Sequence, residues 1–164
     1  MSTANSQPRA PQTRKNDVKL LQVPSHPLAV VRRKVSQTLF SQVIPDAFTE
    51  VLDFLHASGV DHDGINVVVY RHEHGDLFNI ECGVRVSQPF EPSSTVTSSH
   101  TPAGLTATTI HDGPYTKLPE THSALRKWAM DQGKTLAGVS WEIYDHWTPE
   151  VPEPRLEIFY LLRD

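Results

Sequence analysis

Residues 111–144 have the sequence HDGPYTKLPETHSALRKWAMDQGKTLAGVSWEIY. Pro119 and Glu120 favour the start of a helix, because proline suits the first helical turn and an acid there faces the positive end of the helix dipole. Gly133 is well placed to end that helix. Val139–Tyr144 then has the composition of a β-strand. The stretch therefore predicts a helix followed by a strand, and the rest of the fold follows from it.

An earlier part of the chain repeats this pattern at a constant spacing. The pairs that match at an offset of 74 residues are Pro45 and Pro119, Gly59 and Gly133, Gly64 and Gly138, and Tyr70 and Tyr144. A helix start, a helix end, a loop and a strand end that all keep one offset indicate a duplicated β-α-β-β unit. We place repeat one at about residues 27–87 and repeat two at about residues 102–162.

The apolar spacing of each helix predicts how the two units pack. One face of the first helix carries Phe48, Val51, Leu52 and Leu55, and one face of the second carries Leu118, His122, Leu125 and Ala129. We therefore predict an α+β domain, a tandem β-α-β-β repeat whose antiparallel sheet curves around a ligand pocket with two helices on its outer face. Pro45 is predicted to open the first helix, and residues 87–102 to form a long linker. Residues 1–22 are predicted to be a disordered tail, outside a domain of residues 23–164.

Composition narrows the class of protein. The chain of 164 residues fits one domain, and its net charge of −4 lacks the basic footprint of a nucleic-acid-binding protein. One cysteine, Cys82, excludes an internal disulfide and suits a reducing compartment. No apolar run approaches the roughly 20 residues of a membrane span. We expect a cytoplasmic protein, a monomer or homodimer, that binds neither nucleic acid directly nor a membrane.

The face of the sheet on which each acid lies determines what that acid can do. Side chains alternate along a strand, and we expect Val67 and Val69, with Trp141 in the second unit, to meet the helices. The helix-free face would then hold Glu142, Glu81, Glu157, Tyr70, Tyr144 and Phe159. Carboxylates among aromatic rings are typical of a site for a flat, apolar and often cationic ligand. The alternative for Glu81 and Glu157 is that they are exposed acids paired with Arg85 and Arg155.

These residues resemble the GyrI-like small-molecule-binding family, which shares its fold with the SOUL haem-binding proteins and supplies effector-binding domains to AraC- and MerR-type multidrug regulators. The resemblance spans about Val23 to Leu162 and is carried by His111-x-Gly113-Pro114-Tyr115, the helix with Trp128, Glu142-x-Tyr144 and Leu156-Glu157-Ile158. It implies that Glu142 contacts cationic, aromatic drugs in a pocket, with Tyr70, Tyr115 and Tyr144 nearby. Trp147, in the loop after Tyr144, is either a lid over the pocket or a side chain packed on its rim.

The resemblance implies two functions. We see no DNA-binding half in the sequence, so we expect either sequestration of an aromatic or cationic small molecule or its hydrolysis. Some stand-alone relatives resemble hydrolases that open the cyclopropane rings of DNA-alkylating natural products. In that alternative Glu142 activates a water and the Tyr115 hydroxyl polarises the leaving oxygen.

The chain has nine histidines, which are potential ligands of a metal ion or of a haem iron. His72 and His74 could share a strand face, but they lie in a predicted hairpin loop, and Cys82 is the chain's single cysteine. A haem would need an axial ligand such as His111. We instead expect His111 to fix the Gly113-Pro114 turn. The prediction is therefore a site without metal and without cofactor.

Overall fold

The computed structural model describes residues 17–163, and the tandem β-α-β-β repeat is visible in its order of elements. Repeat one consists of β2 (Pro27–Ser36), α1 (Phe40–Ser58), β3 (His62–His74) and β4 (Leu77–Val86). Repeat two consists of β6 (Gly104–His111), α2 (Leu118–Asp131), β7 (Thr135–Tyr144) and β8 (Leu156–Arg163). Two short strands, β1 (Lys19–Val23) and β5 (Thr97–His100), precede the two repeats. The predicted α+β class and the duplication are confirmed.

All eight strands form one antiparallel sheet in the order β1-β6-β8-β7-β3-β4-β2-β5. The order is symmetric about its centre, where β3 of repeat one pairs with β7 of repeat two. Each short strand crosses over: β1 pairs with the first strand of repeat two, and β5 with the first strand of repeat one. The central pair β3–β7 therefore brings equivalent strands of both repeats side by side.

The glycines of the repeat are placed by backbone geometry. Gly59 and Gly133 follow the two helices with φ of 67° and 75°, and Gly64 and Gly138 enter the next strands with φ of 73° and 91°. Side chains with a Cβ are strained at such angles, which explains why both repeats have glycine at these positions.

Four predicted boundaries differ from the structure. His72 and His74, predicted to lie in a hairpin loop, belong to strand β3, and only residues 75–76 connect it to β4. Helix α1 begins at Phe40 rather than at Pro45, because Phe40 and Ile44 extend the apolar face by one turn and the burial of Ile44 outweighs the hydrogen bond that Pro45 cannot donate. The predicted linker 87–102 contains β5, an edge strand that needs pairing on one side only. Of the predicted tail, residues 1–16 lie outside the described part, and Lys19–Val23 forms β1.

Both helices cover the same face of the sheet. The larger apolar cluster joins residues of α1 and α2 to Val68 and Tyr70 of β3 and to Tyr144 of β7. A second cluster, with no helical residue, holds Val67, Val69 and Trp141 with Leu28, Val30 and Phe159. The predicted assignment of faces in β3 and β7 is therefore wrong: Val67, Val69 and Trp141 point away from the helices, and Tyr70, Glu142 and Tyr144 point toward them.

The physical reason is that the sheet buries both of its faces. Val67 and Val69 are 0% exposed although no helix covers them, so other strands of the same sheet must enclose them, which requires strong curvature. At Gly83 a Cβ would lie 1.8 Å from the carbonyl oxygen of Ala29, so the neighbouring strand β2 approaches β4 very closely at this point. An apolar face consequently does not identify the side on which the helices pack.

Candidate ligand-binding site

Glu142 lies on the central strand β7, between the sheet and the helices. Its side chain points to the same face as Val68 of β3 and Ile158 of β8, its neighbours in the two adjoining strands. Only 1% of the residue is exposed. A charge in such a place is costly unless hydrogen bonds and countercharges compensate it. The surrounding side chains therefore determine whether the carboxylate can stay ionised.

Three side chains contact the carboxylate directly. The hydroxyl groups of Tyr70 and Tyr144 both donate to Oε1, each at 2.6 Å. The Nε2 atom of His122, on α2, lies 2.7 Å from Oε2. The two tyrosines come from β3 and β7, so the sheet itself supplies the donors to one oxygen, and a helix supplies the partner of the other.

His122 links the carboxylate to the surface of α2. Its Nδ1 atom lies 2.7 Å from the hydroxyl of Tyr160 on β8. Arg126, one helical turn after His122, donates from Nη1 to the same hydroxyl at 2.9 Å. The guanidinium carbon of Arg126 also lies 5.8 Å from the centre of the Tyr160 ring, within the range of a cation–π contact. Glu142, His122, Tyr160 and Arg126 form one continuous polar chain.

These contacts keep the carboxylate charged. Burial by itself raises the pKa of Glu142, but the hydrogen bond and electrostatic attraction of His122, with the hydrogen bonds from Tyr144 and Tyr70, outweigh burial and lower the pKa below its usual 4.5. Burial, followed by the charge of Glu142, raises the pKa of Tyr70 and Tyr144 well above 10.0. Both hydroxyl groups therefore remain protonated donors to a carboxylate anion.

Aromatic rings enclose this polar centre. Phe40 lies against Tyr70 with ring centres 5.2 Å apart, and Phe48 lies against Tyr144 at 5.3 Å. Trp147, from the loop between β7 and β8, packs on Phe48 at 5.2 Å and is 6% exposed. Trp147 thus packs on the ring cluster, and its role as a lid stays a prediction.

Tyr115 also belongs to the enclosure, through its ring rather than through its hydroxyl. Its ring centre is 6.3 Å from that of Tyr144, and its hydroxyl donates to the backbone carbonyl of Pro154 at 2.6 Å. His111 holds the preceding turn: its Nε2 lies 3.0 Å from the carbonyl oxygen of Pro114, and its Nδ1 lies 2.8 Å from Thr121 Oγ1. The prediction that His111 fixes this turn is confirmed, and both of its ring nitrogens are engaged.

The structure separates the other predicted site residues from Glu142. Phe159 stacks on Trp141 in the second apolar cluster, on the opposite face of the sheet. Glu81 lies on that face too, where it accepts hydrogen bonds from Arg32 Nε and Ser99 Oγ, both at 2.7 Å. The pairing of Glu81 with Arg85 considered above is wrong, since Arg85 binds Asp63.

Glu157 is likewise distant from the carboxylate of Glu142. It is half-buried and pairs with Ile110 of β6 on one side and with Ile143 of β7 on the other. Its neighbour Ile158 faces the helices, so the side chain of Glu157 points to the opposite face. The residues brought together on the helical face are thus Glu142, Tyr70, Tyr144, Tyr115 and Trp147.

Sequence reasoning missed three contributors: His122, Arg126 and Tyr160. The signal for His122 was available, since a polar residue occupied the otherwise apolar face of α2. Asn66 is a fourth residue of interest, because its Nδ2 atom is buried and has no hydrogen-bond partner within residues 17–163. Asn66 pairs with Tyr144 across the central strands, on the helical face. A polar atom of a ligand or a water could use this donor.

Two features of the described residues bear on other classes of protein. No helix in residues 17–163 combines the length and the apolar character needed to cross a membrane. Over the same range, His, Cys, Asp and Glu side chains do not form a group of three or more that could hold a metal ion.

Comparison with known proteins identifies the family. The profile of the GyrI-like small molecule binding domain matches residues 16–163, nearly the whole chain, and this chain belongs to that family. The carboxylate and tyrosines described above are thus part of a small-molecule-binding domain. No curated protein matches the chain significantly.

Solved structures share the fold at low sequence identity. The C-terminal domain of EcmrR has a TM-score of 0.72 and 20% identity, over 90% of this chain and 97% of that one. SAV2435 bound to tetraphenylphosphonium has a TM-score of 0.61 and 11% identity, over 89% of this chain and 93% of that one. A hydrolase encoded by lin2189 from Listeria innocua has a TM-score of 0.54 and 11% identity, over 93% of this chain and 94% of that one. At such identities the similarity establishes the fold alone.

Proposed function

We propose that this protein binds and sequesters organic cations that carry aromatic groups, with Glu142 as the charged partner of the ligand. The observation that supports this most directly is a carboxylate that is 1% exposed and is nevertheless kept ionised by Tyr70, Tyr144 and His122. A buried anion enclosed by rings attracts a cation electrostatically, and the ring faces add cation–π attraction.

The aromatic rings around Glu142 support the part of the proposal that gives the ligand aromatic groups. Tyr115, Tyr144, Phe48 and Trp147 form a continuous series of edge-to-face ring contacts on one side of Glu142. These rings are buried, with Phe48 at 0%, Tyr144 at 4% and Trp147 at 6% exposed, so an aromatic ligand would pack among them only after side chains at the edge of the cluster move. In SAV2435, a protein of the same fold, the bound ligand is tetraphenylphosphonium, a permanent cation with four phenyl groups. The same cation is therefore the natural first probe for this chain.

Isothermal titration with tetraphenylphosphonium tests the proposal. The parent should bind it, and Glu142→Gln, which keeps the shape of the side chain but removes its charge, should weaken binding by about 1–3 kcal/mol, or roughly 5- to 150-fold in Kd. Glu81→Gln is the matched control, because Glu81 is also a buried strand acid but lies on the opposite face. Neutral triphenylphosphine oxide should bind more weakly than the cation. Equal binding of the cation by the parent and Glu142→Gln would disprove charge recognition at this site.

The geometry supports hydrolysis of strained rings less well. A general base works best when its pKa is close to the working pH, whereas the pKa of Glu142 is lowered. The hydroxyl of Tyr115, the residue considered as the acid, is bonded to the Pro154 carbonyl. Incubation with a cyclopropane-bearing alkylator, followed by mass spectrometry, separates the two functions: sequestration leaves the mass unchanged, and hydrolysis adds one water.

A further inference from the structure

Two basic side chains of α2 occupy the positions at which an organic cation would have to bind. His122 and Arg126 are separated by four residues and therefore lie on the same side of the helix. His122 contacts the Glu142 carboxylate at 2.7 Å, and Arg126 lies over the Tyr160 ring at 5.8 Å. A buried carboxylate and an adjacent ring face are the two groups that would recognise an aromatic cation.

We propose that His122 and Arg126 act as an internal substitute for the ligand, so that the protein binds a cation only by displacing them from Glu142 and Tyr160. This inference rests on the proposed function and specifies it: the ligand is an organic cation that reaches Oε2 of Glu142 from the side of α2. The two residues then set the affinity threshold of the site by competing with the ligand.

The partners of the carboxylate differ in how readily they can be replaced. Tyr70 and Tyr144, on Oε1, belong to the central strands, and Phe40 and Phe48 pack against their rings. Both tyrosines are buried. A ligand could replace either of them only by disturbing the core beneath the helices. Oε1 is consequently a fixed part of the site.

Oε2 has a more accessible partner. The His122 side chain is 17% exposed and belongs to a helix that contacts β6, β7 and β8 at its buried face. Arg126 is half-buried at the next turn, and its Nη2 atom bonds Ser123 at the exposed side of the helix. Rotation of these two side chains away from the sheet exposes Oε2 and the Tyr160 ring together, without moving β3 or β7.

Charge balance explains why the exchange is favoured by a cation. A carboxylate at this depth needs a positive or donating partner at all times, and loss of one partner without replacement is unfavourable. A cationic ligand takes the place of His122 beside the Glu142 carboxylate, whereas a neutral ligand leaves the carboxylate without a charged partner. The polar chain from Glu142 to Arg126 therefore favours a cationic ligand over a neutral one. Without a ligand, the same chain shields the carboxylate from solvent.

Titration of the parent and of α2 variants with tetraphenylphosphonium tests this inference. If His122 competes with the ligand, His122→Ala should bind at least about tenfold more tightly than the parent, since no internal contact has to be broken. Arg126→Met, which replaces the charged group by an uncharged side chain suited to a half-buried helical position, should bind several-fold more tightly. His56→Ala, at an exposed histidine near the end of α1, and Lys127→Met, at an exposed position of α2, should leave the Kd unchanged.

A structure of the parent with the probe bound supplies a second readout, in which His122 Nε2 should lie beyond hydrogen-bond distance of Glu142. Unchanged or weaker binding by both His122→Ala and Arg126→Met overturns the inference, because these side chains would then support the ligand rather than compete with it. If the parent still binds and Glu142→Gln does not, the proposed function survives that result. Absence of binding by the parent and by every variant overturns both.

Discussion

Tyr70 and Tyr144 donate to the same oxygen, Oε1 of Glu142, at the same distance of 2.6 Å. The two tyrosines are equivalent positions of the two repeats, and the central pairing of β3 with β7 brings them to the same side of the sheet. The duplication has thus produced a pair of donors, while the acid between them is present in repeat two only: its equivalent in repeat one is Val68. A symmetric scaffold consequently holds an asymmetric site.

Removal of either hydroxyl should destabilise the protein. Tyr70→Phe and Tyr144→Phe each take one donor from a buried anion, and we expect a loss of about 1.5–3 kcal/mol in the free energy of unfolding. Urea denaturation monitored by circular dichroism measures this loss. Tyr115→Phe is the matched control, because its hydroxyl bonds a neutral carbonyl, and its loss should be nearer 1 kcal/mol. A smaller effect at Tyr70 and Tyr144 than at Tyr115 would contradict this account of Oε1.

The stability of the protein should decrease on the acid side because of Glu142. Its pKa in the folded protein lies below the usual 4.5, so the unfolded chain binds more protons as the pH falls. The stabilisation is complete above pH 4.5 and is lost as the pH falls through the lowered pKa. Unfolding free energies measured by urea denaturation between about pH 6 and about pH 3 show this loss.

Substitution identifies the group responsible for that loss. Glu142→Gln should flatten the acid limb of the stability profile. Glu73→Gln is the control, since the Asn79 amide lowers the pKa of Glu73 as well, but Glu73 is exposed and should contribute little. An acid limb as steep in Glu142→Gln as in the parent would mean that other carboxyl groups cause it.

Gly83 should tolerate no side chain. A Cβ at this position would lie 1.8 Å from the backbone oxygen of Ala29, and backbone cannot yield as a flexible side chain can. We expect Gly83→Ala to cost about 3 kcal/mol or more, or to prevent folding. At Gly59, with φ of 67° and nothing within 4 Å, alanine should cost only about 1–2 kcal/mol. Thermal or urea unfolding of both variants tests whether the strands approach as closely as described.

Trp147 should report ligand binding by fluorescence. It packs on Phe48, which in turn contacts Tyr144 beside Glu142, whereas Trp141 stacks on Phe159 on the other face of the sheet. Trp128 lies on α2 and could respond as well, so the double variant Trp128→Phe/Trp141→Phe, in which Trp147 is the remaining tryptophan, is the one to titrate. Tetraphenylphosphonium should change its emission, and an unchanged emission in a double variant that still binds the cation would contradict this placement of the ligand.

Much of the fold and part of the candidate site could be predicted from the sequence, because the duplication leaves recognisable local patterns. Gly59 and Gly133 mark helix ends, and Gly64 and Gly138 mark the register irregularities of β3 and β7, because the positive φ at each position favours glycine. Glu142 is predicted to be a functional residue because it is an acid within a strand of mostly apolar residues. These inferences need only the spacing and the chemistry of neighbouring residues.

The sequence by itself determined the tandem repeat, the antiparallel α+β class and the acid with its two tyrosines. Only the tertiary structure decided that Glu142 lies beneath the helices, because the curved sheet buries Val67 and Trp141 on the opposite face as completely as it buries Val68. Alternation assigns side chains to two faces but does not state which face the helices cover. The contact of His122 and Arg126 with Glu142 and Tyr160 depends on how α2 lies across β7 and β8, a long-range packing that no local pattern specifies.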